Sequence, residues 1–191
     1  MNIPNSLTLS RLFLTPVVAL LLFINIPFNY YIAAVLYLIG CITDLLDGYF
    51  ARKYKQETNL GIYIDPMVDK IFAYTLVMIL LYLNIFPLWV IILIFVRDMG
   101  VDAFLNYAIA KKIYIKATYP GKYKSVFLNL AVIIGILALS ASNGNQVFGL
   151  TFSDLYNAAY FVLIISFLVG FIGSNTIMQN SYRQIITDFK N

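Results

Sequence analysis

The stretch Asp44-Leu45-Leu46-Asp47-Gly48-Tyr49-Phe50-Ala51-Arg52 is followed, eight residues later, by Gly61-Ile62-Tyr63-Ile64-Asp65-Pro66-Met67-Val68-Asp69. Four carboxylates, two glycines and an arginine thus stand inside sequence that is otherwise apolar. An ionisable side chain at the centre of a membrane-spanning helix costs about 2.5–3.5 kcal/mol on insertion scales, so a cluster of four demands a cation partner, a water-filled cavity, or both. At about 100° per residue, Asp44 and Asp47 lie on one helix face, and so do Asp65 and Asp69 on the next helix. The short connection between them predicts an antiparallel hairpin that brings both pairs to similar depth. Four converging carboxylates repel one another unless divalent cations bind them, and two hard cations held by carboxylates suit phosphoryl chemistry.

Outward from this stretch, the chain has the composition of a membrane protein. Of its 191 residues, 61% are hydrophobic and 12% charged, and the mean hydropathy is +0.83. This is more apolar surface than one soluble domain can bury. Apolar segments cover roughly residues 6–27, 30–51, 62–85, 87–110, 123–142 and 155–177. Each approaches the roughly 20 residues needed to cross the hydrocarbon core. The reading is an all-α integral membrane protein: six transmembrane helices in a single domain over residues 1–191, with a cytoplasm-facing active-site cavity. Arg11 in the opening turn, with no small-residue cleavage site after the first apolar segment, predicts that the N-terminus is retained.

Charge placement orients these segments. Arg52, Lys53 and Lys55 fall in the second connection, Lys111, Lys112 and Lys116 in the fourth, and Arg183 and Lys190 in the C-terminal tail. The positive-inside rule puts the N-terminus, these connections and the C-terminus in the cytoplasm. The turns Pro27-Phe28-Asn29, Asn84-Ile85-Phe86-Pro87 and Ser142-Asn143-Gly144-Asn145 then lie outside. The tail from Ser181 onward spaces Tyr182, Ile185, Ile186 and Phe189 as an interfacial helix does, or frays. The net charge of +4 forms a basic cytoplasmic rim, which suits anionic headgroups and phosphorylated substrates rather than nucleic acid.

The absent residues exclude whole chemistries. There is no His, and Cys41 is the only cysteine, so Ser-His and Cys-His nucleophiles, His-ligated zinc and an internal disulfide are all ruled out. A metal here must be held by oxygen, which favours magnesium, manganese or calcium. Gly48, Ala51 and Gly61 leave room for a ligand against the backbone or let helices pack closely. Arg52 offers a fork of donors to a phosphate. Pro66 suits a bend in the third helix.

Asp44-x2-Asp47-Gly48-x2-Ala51-Arg52-x8-Gly61-x3-Asp65-x3-Asp69 resembles, at all eight defined positions, the signature of the CDP-alcohol phosphotransferases. The resemblance implies a six-helix membrane fold, usually a homodimer. It further implies transfer of a substituted phosphate from a CDP-linked donor to an alcohol with release of CMP, requiring Mg2+ or Mn2+ as two ions. On that resemblance Asp44, Asp47 and Asp65 are metal ligands, and Asp69 is a metal ligand or the catalytic base on the acceptor hydroxyl. Asp44, Gly48, Ala51, Arg52 and Gly61 are the CDP-binding residues.

The N-terminal run from Asn2 to Arg11, with Pro16 after it, is similar to the opening of family members that use CDP-diacylglycerol and accept glycerol 3-phosphate or phosphatidylglycerol. This assigns Asn5, Thr8 and Arg11 to the donor side. A plain interfacial helix start with Arg11 reaching for headgroups fits the same residues. Gly121-Lys122-Tyr123-Lys124-Ser125 is similar to a Gly-Lys-x-Lys-Thr segment of the glycerophosphate-accepting members, with Ser for Thr. Lys122, Lys124 and Arg97 are accordingly candidates for the acceptor phosphate. Arg97 with Asp98 and Asp102 also suits a structural ion pair. Arg97-Asp98 is nearer the form in members that accept phosphatidylglycerol.

The resulting expectation is a phosphatidyl transfer from CDP-diacylglycerol to glycerol 3-phosphate, giving phosphatidylglycerol phosphate and CMP for phospholipid biosynthesis. Phosphatidylglycerol as acceptor, giving cardiolipin, is the alternative, followed by inositol phosphate or serine. A cation transporter would distribute its carboxylates along a path through broken helices, and a non-catalytic scaffold would not need all four.

Overall fold

The computed structural model describes residues 3–24, 26–54, 59–110, 119–142 and 146–189, and side chains over residues 8–24, 26–44, 46, 65–108, 123–142 and 146–179. The helices are α1 (Ile3–Leu21), α2 (Asn29–Tyr54), α3 (Asn59–Tyr82), α4 (Leu88–Ala110), α5 (Tyr119–Ala141) and α6 (Phe152–Phe189). Tyr123–Ala141 and Phe152–Gln179 are each long and apolar enough to cross a membrane. The described parts of α3 and α4 each carry three charged residues, Asp65, Asp69 and Lys70 in one and Arg97, Asp98 and Asp102 in the other, so their hydropathy falls below that of a purely apolar span. Large apolar side chains such as Phe13, Leu20, Trp89, Val96 and Phe161 are more than half exposed. Apolar exposure on this scale needs a membrane or another protein to cover it, and the two long apolar helices suit a membrane.

Helix ends follow local chemistry. The first helix stops at Leu21, before the predicted end of its apolar segment at 27. Asn29, 7% exposed, explains how that end is held: its Nδ2 donates to the carbonyls of Leu21 at 3.0 Å and Ile24 at 2.8 Å. Carbonyls at a helix C-terminus lack intrahelical donors, and this amide supplies one from the start of α2. Phe28 and Asn84 adopt left-handed φ values of 61° and 60° within the two turns the sequence predicts there. The third predicted turn is described only at Ser142, because Asn143-Gly144-Asn145 lie outside the described residues. The next turn closes through mutual backbone bonds of Val147 and Leu150, 3.1 and 3.0 Å long. The tail from Ser181 runs on as part of α6 rather than forming a separate helix.

The chain forms two compact units. Unit 1 comprises Met1–Phe86 and Ala131–Ala159, and unit 2 comprises Pro87–Leu130 and Tyr160–Asn191. In unit 1, α1 packs against both α2 and α3. Gly40 of α2 makes the close approach: a Cβ there would collide with the ring of Phe72 and lie 3.2 Å from Leu14. That space lets Tyr37 stack on Phe72, with ring centroids 4.7 Å apart. Ala138, Ala141, Val147 and Leu155 form a second buried cluster of this unit.

Candidate functional site

In unit 1, α1 supplies the partners of the carboxylates. Thr8 and Arg11 are three residues apart, one helical turn, so they share a face of α1. The Thr8 hydroxyl donates to Asp65 Oδ1 at 2.7 Å. Arg11 Nη1 donates to Asp44 Oδ1 at 2.6 Å and also to Asp69 Oδ1. One guanidinium from α1 therefore joins a carboxylate of α2 to a carboxylate of α3. The Arg11 side chain is 1% exposed, whereas those of Asp44 and Asp69 are 36% and 39% exposed. The cation lies underneath, and the carboxylates keep an open side. Thr15, one turn further, bonds the Arg11 carbonyl at 2.8 Å, just before Pro16, which has no N–H to donate.

Arg11 does not reach for headgroups, which is one of the two roles its sequence position suggests. It is a fully buried counter-charge, because two converging carboxylates stabilise a cation more than the interface does. Sequence spacing alone gave no sign of this partnership: the residues in contact are 33 and 58 positions apart. An arginine placed three residues after a threonine in an apolar first helix is the signal available in the sequence.

Asp44, Asp65 and Asp69 are thus held by one helix. Asp47, Gly48, Ala51 and Arg52 fall within α2, Gly61 within α3, Asn5 within α1 and Lys122 within α5, and the side chains of these residues lie outside the described set. Among the described residues no three carboxylates close on a single metal position: Asp44 and Asp69 turn to Arg11, and Asp65 to Thr8. The donor chemistry suits a hard divalent cation. It is all carboxylate, it has open faces, and a guanidinium already occupies a cation's place between Asp44 and Asp69.

Unit 2 carries a second charged group. Asp98, 4% exposed, accepts from Lys124 Nζ at 2.6 Å and from Arg97 Nη2 at 2.9 Å. Two cations thus share one buried carboxylate. Arg97 reaches α6, where a Cβ on Gly170 would overlap its guanidinium, and its Nε is buried without a hydrogen-bond partner. A cavity of about 360 Å³ between α4 and α6 is lined by Arg97, Gly100, Phe104, Phe171, Ser174 and Asn175 among others. Ser166 ties α6 to α5 through the Lys124 carbonyl at 2.8 Å. Asp102 is partly buried on α4.

The helical fold and the carboxylate spacing define the class, and comparison with known families gives the same one. The CDP-alcohol phosphatidyltransferase family matches residues 1–174, and the chain belongs to that family. Among its curated relatives, the CDP-diacylglycerol--glycerol-3-phosphate 3-phosphatidyltransferase of Bacillus subtilis is 29% identical over 178 residues, 85% of this chain and 90% of that protein. The enzyme of the same name from Aquifex aeolicus is 34% identical, covering 72% of this chain and 77% of its own length. A probable phosphatidylglycerophosphate synthase of Mycobacterium tuberculosis is also 34% identical, over 73% of this chain and 68% of that protein.

Proposed function

We propose that this protein transfers the phosphatidyl group of CDP-diacylglycerol to glycerol 3-phosphate, forming phosphatidylglycerol phosphate and releasing CMP. The observation that carries this reading is the meeting of Asp44 and Asp69, from α2 and α3, on one buried cation with their outer faces open. The family and the names of the relatives supply the donor and the acceptor.

The primary hydroxyl of glycerol 3-phosphate attacks the lipid-bearing phosphorus. A new O–P bond forms, the bond from that phosphorus to the CMP oxygen breaks, and CMP leaves with the electron pair. Asp69 takes the hydroxyl proton, a role that first needs a carboxylate within hydrogen-bond reach of that hydroxyl. Asp44, Asp47, Asp65 and Asp69 would hold two magnesium or manganese ions, whose chemistry would be to neutralise the pyrophosphate and the charge on the leaving CMP. Gly48, Ala51 and Gly61 let the CDP moiety approach the backbone, and Arg52 binds its phosphate by a donor fork. Asn5 completes the donor side. Lys122, Lys124 and Arg97 are the cations assigned to the acceptor phosphate.

All six helices cross the cell membrane, the N-terminus, active site and C-terminus are cytoplasmic, and the protein works as a homodimer. The donor's acyl chains remain in the bilayer while its pyrophosphate enters the polar cavity. Purified protein in detergent, given CDP-diacylglycerol, magnesium and phosphate-labelled glycerol 3-phosphate, is expected to move label into the lipid phase. Label that stays in the aqueous phase while phosphatidylglycerol is converted to cardiolipin would overturn the acceptor.

A further inference from the structure

We propose that Thr8 and Arg11 are positioning residues: a floor laid by α1 that aims the carboxylates of Asp65, Asp44 and Asp69 at the divalent cations. This rests on the metal-dependent transfer proposed above. Three features of the geometry support it. Both residues are 1% exposed, while the carboxylates above them stay partly open. The bonds from Thr8 and Arg11 described above end on Oδ1 oxygens, and a carboxylate can accept more than one such bond. The three carboxylates come from two helices, so α1 is the element that fixes their separation. Hydrogen-bonded partners of metal-binding carboxylates set ligand orientation, and losing one lowers metal affinity by about 10–100-fold.

The two residues are not equivalent as tests. Arg11 also brings a positive charge that opposes a metal ion, so its removal mixes loss of orientation with a gain in attraction. Thr8 is uncharged and isolates orientation. Thr8→Val keeps the side-chain shape and removes the hydroxyl.

The experiment is titration of the purified full-length protein in detergent with Mn2+ alone, without donor or acceptor. The readout is the loss of the free-ion electron paramagnetic resonance signal, with Asp65→Asn as reference and circular dichroism as a check on helix content. Thr8→Val is expected to weaken Mn2+ binding about tenfold or more with helix content unchanged, and Thr8→Ser is expected to restore it. Thr8→Ala tests the same loss should the valine variant not fold. Thr8→Val binding like wild type while Asp65→Asn binds weakly overturns the positioning role alone. Wild-type protein that takes up no Mn2+ overturns the metal reading and this inference with it.

Discussion

Gly170→Ala gives a prediction whose sign separates local propensity from packing. In an α-helix interior, alanine is favoured over glycine by about 1 kcal/mol, so propensity alone predicts a more stable protein. The structure predicts the opposite. The added Cβ would occupy the space of the guanidinium of Arg97, whose side chain is 9% exposed and paired at 2.9 Å with the buried Asp98. Forcing Arg97 away leaves a cation buried without its carboxylate, a change of about 3–5 kcal/mol in comparable pairs. Lys124 still neutralises Asp98 at 2.6 Å, which points to the lower end. With the propensity gain subtracted, the net destabilisation is about 2 kcal/mol.

Thermal unfolding in detergent micelles, followed by far-ultraviolet circular dichroism, reads the sign directly. Gly100→Ala is the control, because nothing lies within 4 Å of a Cβ there, and it is expected to be neutral or stabilising. Arg97→Met in the Gly170→Ala background should recover part of the loss, since the two changes then share one cause. A Gly170→Ala protein that unfolds at or above the wild-type temperature refutes the packing argument.

Other consequences follow from single contacts. Asn29→Ala removes the amide that bonds the Leu21 and Ile24 carbonyls, and its unfolding free energy in micelles should fall by about 1–3 kcal/mol. Asp69→Asn removes the proposed base and should slow CMP release by at least about 100-fold, measured by chromatography of the nucleotide at saturating donor. Chelation with EDTA should abolish CMP release, and added magnesium or manganese should restore it. Persistence of full activity after chelation and dialysis counts against divalent-ion chemistry.

Helical geometry converts the spacing of Asp44 and Asp47, and of Asp65 and Asp69, into shared faces, and the structure brings Asp44 and Asp69 to one cation of α1; the connection between α2 and α3 lies outside the described residues. Helix number was legible from apolar length and from Pro, Gly and Asn at the turns. Helix ends were less so: α1 stops at Leu21 because an amide from α2 caps it, and apolar run length does not report a tertiary cap. The same limit hid the roles of Thr8 and Arg11. Their positions were readable as donor-side residues, but which charge they meet depends on how α1 lies against two other helices. An ion pair of Arg97 with a carboxylate was readable because charges in so apolar a helix need partners. Lys124 as the second partner of Asp98, and Gly170 as the surface beneath Arg97, are long-range contacts that no local pattern encodes.

The most direct test of the account is CMP release from CDP-diacylglycerol with magnesium, offering glycerol 3-phosphate, phosphatidylglycerol, inositol phosphate and serine in separate reactions. The account predicts CMP formed in step with phosphatidylglycerol phosphate when glycerol 3-phosphate is present, and loss of both in Asp69→Asn. CMP release that ignores glycerol 3-phosphate and responds to another acceptor would contradict it.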